Sequence, residues 1–104
     1  MNETEYLKLV AEAFSIIMGR LEKADADGDI DVEENAEVIT IELENGRQFV
    51  INRHIPTRQI WLSSPASGAH HFVYDETGGN WKTKSAELMQ TLSNDLKELA
   101  GIDI

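Results

Sequence analysis

The sequence of 104 residues contains no cysteine. This absence excludes disulfides, thiolate metal sites and cysteine nucleophiles. No segment approaches the ~20 consecutive apolar residues that a membrane-spanning helix needs. Basic residues are scarce, nine against nineteen acids, which gives a formal net charge of −10. We therefore expect neither nucleic acid nor an anionic membrane as a partner, because both attract basic surfaces.

Sequence motifs for catalysis or targeting are also missing. There is no G-x-S-x-G sequence, P-loop or dinucleotide-binding glycine pattern, so we expect no enzyme. The acidic N-terminus resembles neither a signal peptide nor a transit peptide, and this predicts a cytoplasmic protein. The length predicts one domain over residues 1–104.

The negative charge is concentrated in the first part of the chain. Residues 1–44 hold thirteen acids and three bases, whereas residues 45–104 hold six of each. Seven of the acids lie in residues 22–34, with Lys23 as the only base. Like charges this close repel, so the run favours a role in binding a cation or a basic protein.

Three interpretations of this acidic run remain open. It can be a solvated edge that discourages aggregation. It can be a calcium loop with Gly28 at the sixth position and Glu34 at the twelfth. However, Lys23 then replaces the first acidic ligand, and the following residues favour a strand over an exit helix.

The third interpretation is an exposed, weak cation surface. In extended backbone, alternate side chains share one face, at a spacing of ~6–7 Å. That spacing predicts exchangeable binding of hard ions such as Ca²⁺, Mn²⁺, Fe³⁺ and hydrated Fe²⁺. The acids that would form this ladder are Asp25, Asp27, Asp29, Asp31 and Glu33.

The hydrophobic pattern predicts an α+β fold. Apolar residues at helical spacing, from Leu7 to Leu21, indicate a first helix over residues 3–22, with Asn2 as its cap. Alternating residues from position 30 to 83 predict five or six antiparallel strands, with a hairpin at Asn45-Gly46. A second helix is expected over residues 86–100, capped by Ser85. Both helices should cover one face of the sheet and leave the other open.

Trp61 is the most notable residue of the predicted open face. If Ile60 and Leu62 face the helices, Gln59 and Trp61 lie on the open side. An exposed tryptophan is a typical binding anchor, but side chains of a neighbouring strand can also cover the ring. The adjacent His70 and His71 point to opposite faces and cannot chelate one metal.

The sequence resembles the frataxin family, in its bacterial CyaY type. The resemblance lies in Asn52-Arg53, in residues 59–68 (Gln-Ile-Trp-Leu-Ser-Ser-Pro-Ala-Ser-Gly) and in Asn80-Trp81. It implies a two-layer sandwich of two helices on an antiparallel sheet. It further implies an iron chaperone that binds Fe²⁺ and Fe³⁺ weakly and regulates iron–sulfur cluster assembly. The implied partners are the cysteine desulfurase and, in some systems, the scaffold protein, with a monomer in the absence of metal.

The resemblance also maps functional positions onto this chain. The implied acidic metal positions are Glu22, Asp25, Asp27, Asp29, Asp31 and Glu33, with Glu3 as an outlying ligand. The acids from Asp25 to Glu33 double as partner-binding residues, together with the sheet positions Asn52, Arg53, Gln59 and Trp61. Lys23, Leu7 and Gly19 replace acids or histidine of some relatives, which weakens metal sites on the first helix. Two further hypotheses are an interaction module with incidental metal binding and a calcium module.

Overall fold

The N-terminal helix follows from the spacing of its apolar residues. The computed structural model describes residues 1–25 and 27–104, and Ala26, within the acidic run, lies outside the described residues. Helix α1 spans Glu3–Ala24, and Asn2 caps it by accepting the Glu5 backbone N–H at 2.8 Å. Its buried side chains recur every three or four residues and form the face that covers the sheet; they are Tyr6, Val10, Phe14, Ile17 and Leu21.

Six strands and a second helix follow, as the sequence predicted. A single 3-10 turn, Ile55–Thr57, interrupts them, and Arg58 after it has a left-handed φ of 55°. The strands are β1 (Asp31–Glu34), β2 (Val38–Glu42), β3 (Gln48–His54), β4 (Gln59–Ser64), β5 (Gly68–Asp75) and β6 (Asn80–Lys82). Helix α2 spans Leu88–Ala100.

The strands form one antiparallel sheet in chain order, β1 to β6. Alternate residues of β2, β3 and β4 are buried and belong to the same core cluster as both helices. The register places Ile39 beside Ile51 and Ile51 beside Leu62 on this face. Trp81 of β6 is also buried in the core. The opposite face carries exposed and half-buried side chains, so both helices cover one side.

The β2–β3 hairpin confirms the turn predicted at Asn45-Gly46. The N–H of Gly46 donates to the Leu43 carbonyl at 2.9 Å, and the N–H of Leu43 donates to the Arg47 carbonyl at 2.8 Å. Gly46 has φ 85°, a conformation that costs glycine little. This turn fixes the register of β2 and β3.

Helix α2 begins later than the sequence predicted. Ser85 is not its cap, because residues 83–86 form a separate turn in which Thr83 Oγ1 accepts the N–H groups of Ser85 and Ala86. Glu87 is the cap, and its carboxylate accepts the N–H groups of Met89 and Gln90. The helix ends at Ala100, as predicted, and Gly101 after it has a left-handed φ of 68°. Among the described residues, neither helix combines the length and apolar character needed to cross a bilayer.

Candidate functional site: the acidic ridge and the open sheet face

The acidic run begins where helix α1 ends. Asp25 is the C-cap, and its N–H donates to the Leu21 carbonyl at 2.9 Å. Its side chain folds over the next turn, where Oδ1 accepts the Asp29 N–H at 2.7 Å and Oδ2 accepts the Ile30 N–H at 3.4 Å. Ile30 is buried and anchors the end of this loop to the core. The Asp25 carboxylate therefore holds the loop together.

The predicted ladder of five carboxylates from Asp25 to Glu33 is wrong. The chain is extended only from Asp31 onward, and Gly28 before it has φ 71°. Asp25, Asp27 and Asp29 therefore belong to a helix cap and a turn, so strand alternation does not align them. A carboxylate that bonds nearby backbone N–H groups favours a turn over a strand, which explains the difference.

Asp31 and Glu33 do share one face, as the alternation predicted. Both are exposed on the open side of the edge strand β1. The register places Asp31 directly across from Glu42 and Glu33 across from Thr40. Asp31, Glu33 and Glu42 line a depression of about 310 Å³. Glu42 was not predicted as a site residue because it lies outside the run. The Asn45-Gly46 hairpin is the signal that could have shown on which face of β2 Glu42 lies.

We call Glu22, Asp25, Asp27, Asp29, Asp31 and Glu33 the acidic ridge. None of these six carboxylates forms an ion pair among residues 1–25 and 27–104, where the four ion pairs involve other acids. Within the same residues, no three histidine or acidic side chains lie close enough together to hold one metal ion. The ridge is thus a set of unneutralised charges spread over a surface.

Two of the predicted metal positions, Glu3 and Glu22, lie on helix α1. Glu22 is exposed near the C-terminal end of the helix and borders the groove that also contains Glu34. Glu3 lies at the other end, ~30 Å away at the helical rise of 1.5 Å per residue, and approaches Arg58 at 3.9 Å. Glu22 therefore forms the helical end of the ridge, whereas Glu3 is remote from it.

Trp61 lies on the open face between two imidazoles. Its ring stacks on His54 with a centroid separation of 3.9 Å and on His71 with 4.1 Å, both at 11° between planes. His71 is the direct cross-strand neighbour, and His54 is the diagonal neighbour. The indole is half-buried, so the neighbouring strands cover both of its faces.

A chain of hydrogen bonds fixes this aromatic sandwich. Trp61 Nε1 donates to Gln59 Oε1 at 2.8 Å, and the Thr57 hydroxyl donates to the same oxygen at 3.1 Å. Thr57 Oγ1 lies 2.7 Å from His54 Nδ1. Asn52 is directly across from Trp61. Asn52, Gln59 and Trp61 therefore form one ordered patch on the open face, as predicted.

Arg53, which was predicted together with these residues as a partner-binding position of the sheet, does not belong to this patch. It is directly across from the buried Ile60, and strand alternation turns it toward the helices. Its guanidinium lies 3.7 Å from the Glu37 carboxylate and borders a groove beside helix α1. A role of Arg53 in partner binding stays a prediction, but any such contact is separate from Trp61.

Two different chemistries are available at this site. Exposed carboxylates spaced along a ridge can bind hard cations through few ligands and water, which gives weak and exchangeable binding. They can also attract a basic protein surface. The patch around Trp61 adds a pre-ordered aromatic contact of the kind found in protein interfaces.

Comparison with known proteins identifies the fold. A family model described as the frataxin-like domain matches residues 1–102. Among solved structures, a frataxin from Psychromonas ingrahamii, of the CyaY family, is 27% identical, with a TM-score of 0.87 over 100% of this chain and 96% of that chain.

Two yeast structures superpose less closely on this chain, although their sequence identity is similar. A trimeric frataxin from Saccharomyces cerevisiae with its full-length N-terminus is 29% identical, with a TM-score of 0.70 over 86% of this chain and 77% of that chain. A ferrous-complexed trimeric frataxin from the same yeast is also 29% identical, with a TM-score of 0.66 over 94% of this chain and 85% of that chain.

Proposed function

This chain belongs to the frataxin family, and we propose that it is an iron-binding regulator of iron–sulfur cluster assembly. In this proposal it binds Fe²⁺ or Fe³⁺ weakly on the acidic ridge and docks on the cysteine desulfurase. It catalyses no reaction itself and acts through the surface that it presents. The observation that carries the proposal is the ridge of carboxylates, all exposed except the half-buried Asp25, without ion-pair partners in the part of the chain that the structure describes.

The chemistry of these residues supports iron as the cargo. Carboxylate oxygens suit Fe³⁺, which is a hard ion, and can also bind hydrated Fe²⁺ weakly. Asp27, Asp29, Asp31 and Glu33 are exposed, so the oxygens of each are accessible to a hydrated ion. Asp25 is a weaker ligand, because backbone N–H groups already occupy both of its oxygens. A related frataxin has been solved in a ferrous complex, which further supports iron.

The same charges support docking on a basic surface of the desulfurase. An exposed ion pair contributes only ~1 kcal/mol or less, so several acids must act together. Docking should therefore weaken steeply with salt. Iron and the desulfurase would compete for one surface, since both are attracted by the same carboxylates. The ordered patch at Trp61 would provide a second contact, on the open sheet face.

The experiment is a charge-matched pair of quadruple variants. The ridge variant carries Asp25→Asn, Asp27→Asn, Asp29→Asn and Asp31→Asn, and calorimetry should detect binding of neither Fe²⁺ nor the desulfurase. The control carries Glu5→Gln, Glu12→Gln, Glu76→Gln and Glu98→Gln at exposed positions outside the ridge. It has the same net charge and should bind both ligands. Equal binding by the two variants would refute the ridge as the site.

An interaction module with incidental metal binding is the second candidate. The use of Asp25 as a structural group favours it, because this carboxylate serves the loop more directly than a metal. It predicts a full effect on desulfurase activity in metal-free, chelator-treated assays. Our proposal instead predicts that iron changes that effect. A calcium module would show preference for Ca²⁺ over Fe²⁺ in the same titration.

A further inference from the structure

Strand β1 has an unpaired outer edge. It is the first strand of the sheet and pairs only with β2. The Asn35 N–H donates to the Val38 carbonyl at 3.0 Å. Because antiparallel hydrogen-bonded pairs recur at every second residue, the N–H and C=O of Glu33 also face β2. Those of Val32 and Glu34 point away from the sheet, and no strand of the described residues pairs with them.

A groove lies between this edge and helix α1. One part, of about 440 Å³, has Ser15, Gly19 and Glu22 on the helix side and Glu34 on the strand side. A Cβ built at Gly19 would have no neighbouring atom within 4 Å, so the groove is unfilled there. A second part, of about 320 Å³, continues along the strand; its lining includes Met18, Leu21 and Val32.

The side chains around the edge define what can pair with it. Asp31 and Glu33 flank the edge on the open face of the sheet. A strand added beside them would need basic side chains on that face, because opposite charges across strands stabilise and like charges destabilise. On the helix face it would meet Met18 and Val32, which favour apolar side chains, with Glu22 and Glu34 beside them. Alternation of basic and apolar residues meets both requirements.

We propose that the outer edge of β1 accepts an extended basic segment of a partner protein as an added strand. The Val32 and Glu34 backbone would bond this segment, and Asp31 and Glu33 would select its basic side chains. This inference rests on the proposed docking of a basic partner and specifies how docking occurs. A second copy of this chain is disfavoured, since pairing two β1 edges would bring like charges together.

The first test uses two short peptides of equal charge. One is an acetylated and amidated eight-residue Lys-Val repeat, and the other is the matching Lys-Pro repeat, which lacks alternate N–H donors. The Lys-Val peptide should bind at least about tenfold more tightly, since several hydrogen bonds are at stake. Amide exchange measured by NMR should slow at Val32 and Glu34 when it binds. Equal affinity for both peptides would overturn strand addition.

The second test separates the backbone from the charge. Glu34→Pro and Glu34→Gln remove the same charge, but only proline removes the outward N–H, at an edge where proline is tolerated. Glu34→Pro should bind the Lys-Val peptide and the desulfurase about tenfold more weakly than Glu34→Gln. Circular dichroism checks its fold; if it does not fold, wild-type amide exchange decides. Equal binding by the two folded variants refutes the proposal.

Two further outcomes separate self-association at the edge from a failure of desulfurase docking. Protection of Val32 and Glu34 that grows with protein concentration in the absence of peptide would show a second copy on the edge and would overturn the proposal. Failure of the desulfurase to bind the wild-type protein would instead refute the proposed function. In that case the peptide affinities and amide exchange still decide whether β1 accepts an added strand.

Discussion

The carboxylate of Asp25 accepts the backbone N–H of Asp29 at 2.7 Å. One acid of the ridge therefore positions another. The turn that this hydrogen bond closes carries Asp27 at the surface and leads directly into the edge strand β1. The ridge is built from a helix cap, a turn and a strand, and its geometry depends on Asp25.

Loss of the Asp25 carboxylate should destabilise the protein more than loss of its neighbour Asp27. Asp25→Ala removes acceptors from the N–H groups of Asp29 and Ile30, and we expect a loss of ~1–2 kcal/mol in the free energy of unfolding. Asp27→Ala removes a similar repulsive charge. Among the described residues the Asp27 carboxylate accepts no hydrogen bond, so no such bond is lost with it. Urea denaturation measures both variants. Equal stabilities would mean that Asp25 does not hold the loop.

Tyr6 should stabilise the fold through a hydrogen bond as well as through burial. Its hydroxyl donates to the Gln59 carbonyl at 2.6 Å in the core. Tyr6→Phe should lower the free energy of unfolding by ~1–2 kcal/mol at neutral pH. Val10→Ala provides a reference core variant that leaves this hydrogen bond in place. A Tyr6→Phe protein as stable as wild type would contradict the assignment.

The same residue predicts a pH dependence. Burial raises the pKa of Tyr6 above its ordinary value of 10.0. The stability linked to this shift is fully present below the unfolded-state pKa and is lost as pH rises through the folded-state pKa. Stability of the wild type should therefore fall more steeply than that of Tyr6→Phe above pH ~10. Thermal melting between neutral and alkaline pH tests this, and parallel profiles would count against it.

An ion pair between Lys82 and Asp75 lies at the edge of the sheet opposite to β1. It predicts a contribution to stability that is lost in acid. Lys82 Nζ lies 2.9 Å from Asp75 Oδ2, and this hydrogen bond lowers the pKa of Asp75 below its ordinary value of 3.8. The contribution is present above the unfolded-state pKa and is lost as pH falls through the folded-state pKa. Lys82→Met should therefore lower the melting temperature at neutral pH, and the difference from wild type should vanish in acid.

Lys84→Met is the matched control for this ion pair. Lys84 is exposed and forms no ion pair among the described residues, so its replacement should change the melting temperature less at neutral pH. A loss in Lys82→Met that persists unchanged in strong acid would indicate lost packing instead of a lost ion pair.

The aromatic sandwich should protect Trp61 from solvent. His71→Ala uncovers one face of the indole and should raise its quenching by acrylamide, with a stability loss of ~0.5–1 kcal/mol from the lost stacking. Trp81 is 5% exposed and contributes little to the quenching. His70→Ala is the control, since His70 faces away from Trp61. Identical quenching of the two variants would show that the stack does not shield Trp61.

The sequence predicts the elements well because their hydrophobic periods are local. The antiparallel strands between positions 30 and 83, the Asn45-Gly46 turn and the end of α2 at residue 100 are all confirmed, and each depends on neighbouring residues. The stripe of α1 was predicted from Leu7, whereas the deeply buried residue is Tyr6. A tyrosine can lie in the core or at the surface, so the sequence pattern does not decide between them. In the core the Tyr6 hydroxyl needs a hydrogen-bond acceptor, and a residue distant in sequence, Gln59 of β4, supplies it.

The ridge was harder to predict because competing interactions determine its shape. Strand alternation predicted that Asp25 and Glu33 share one face of a strand. Instead, the Asp25 carboxylate accepts backbone N–H groups and closes a turn. Glu42 joins the surface through cross-strand register, which a linear pattern does not show. Regular strand alternation places Arg53 on the opposite face of the sheet from Trp61, although the two residues are close in sequence.

Competition between iron and the desulfurase for the acidic ridge can be measured in one NMR experiment. Fe²⁺ is titrated into the protein, and the desulfurase is then added to the iron-loaded sample. We expect paramagnetic broadening of the amide signals of Asp27, Asp29, Asp31 and Glu33, and release of Fe²⁺ when the desulfurase binds. Broadening centred elsewhere, or desulfurase binding that leaves the ridge signals and the bound Fe²⁺ unchanged, would contradict the proposed competition.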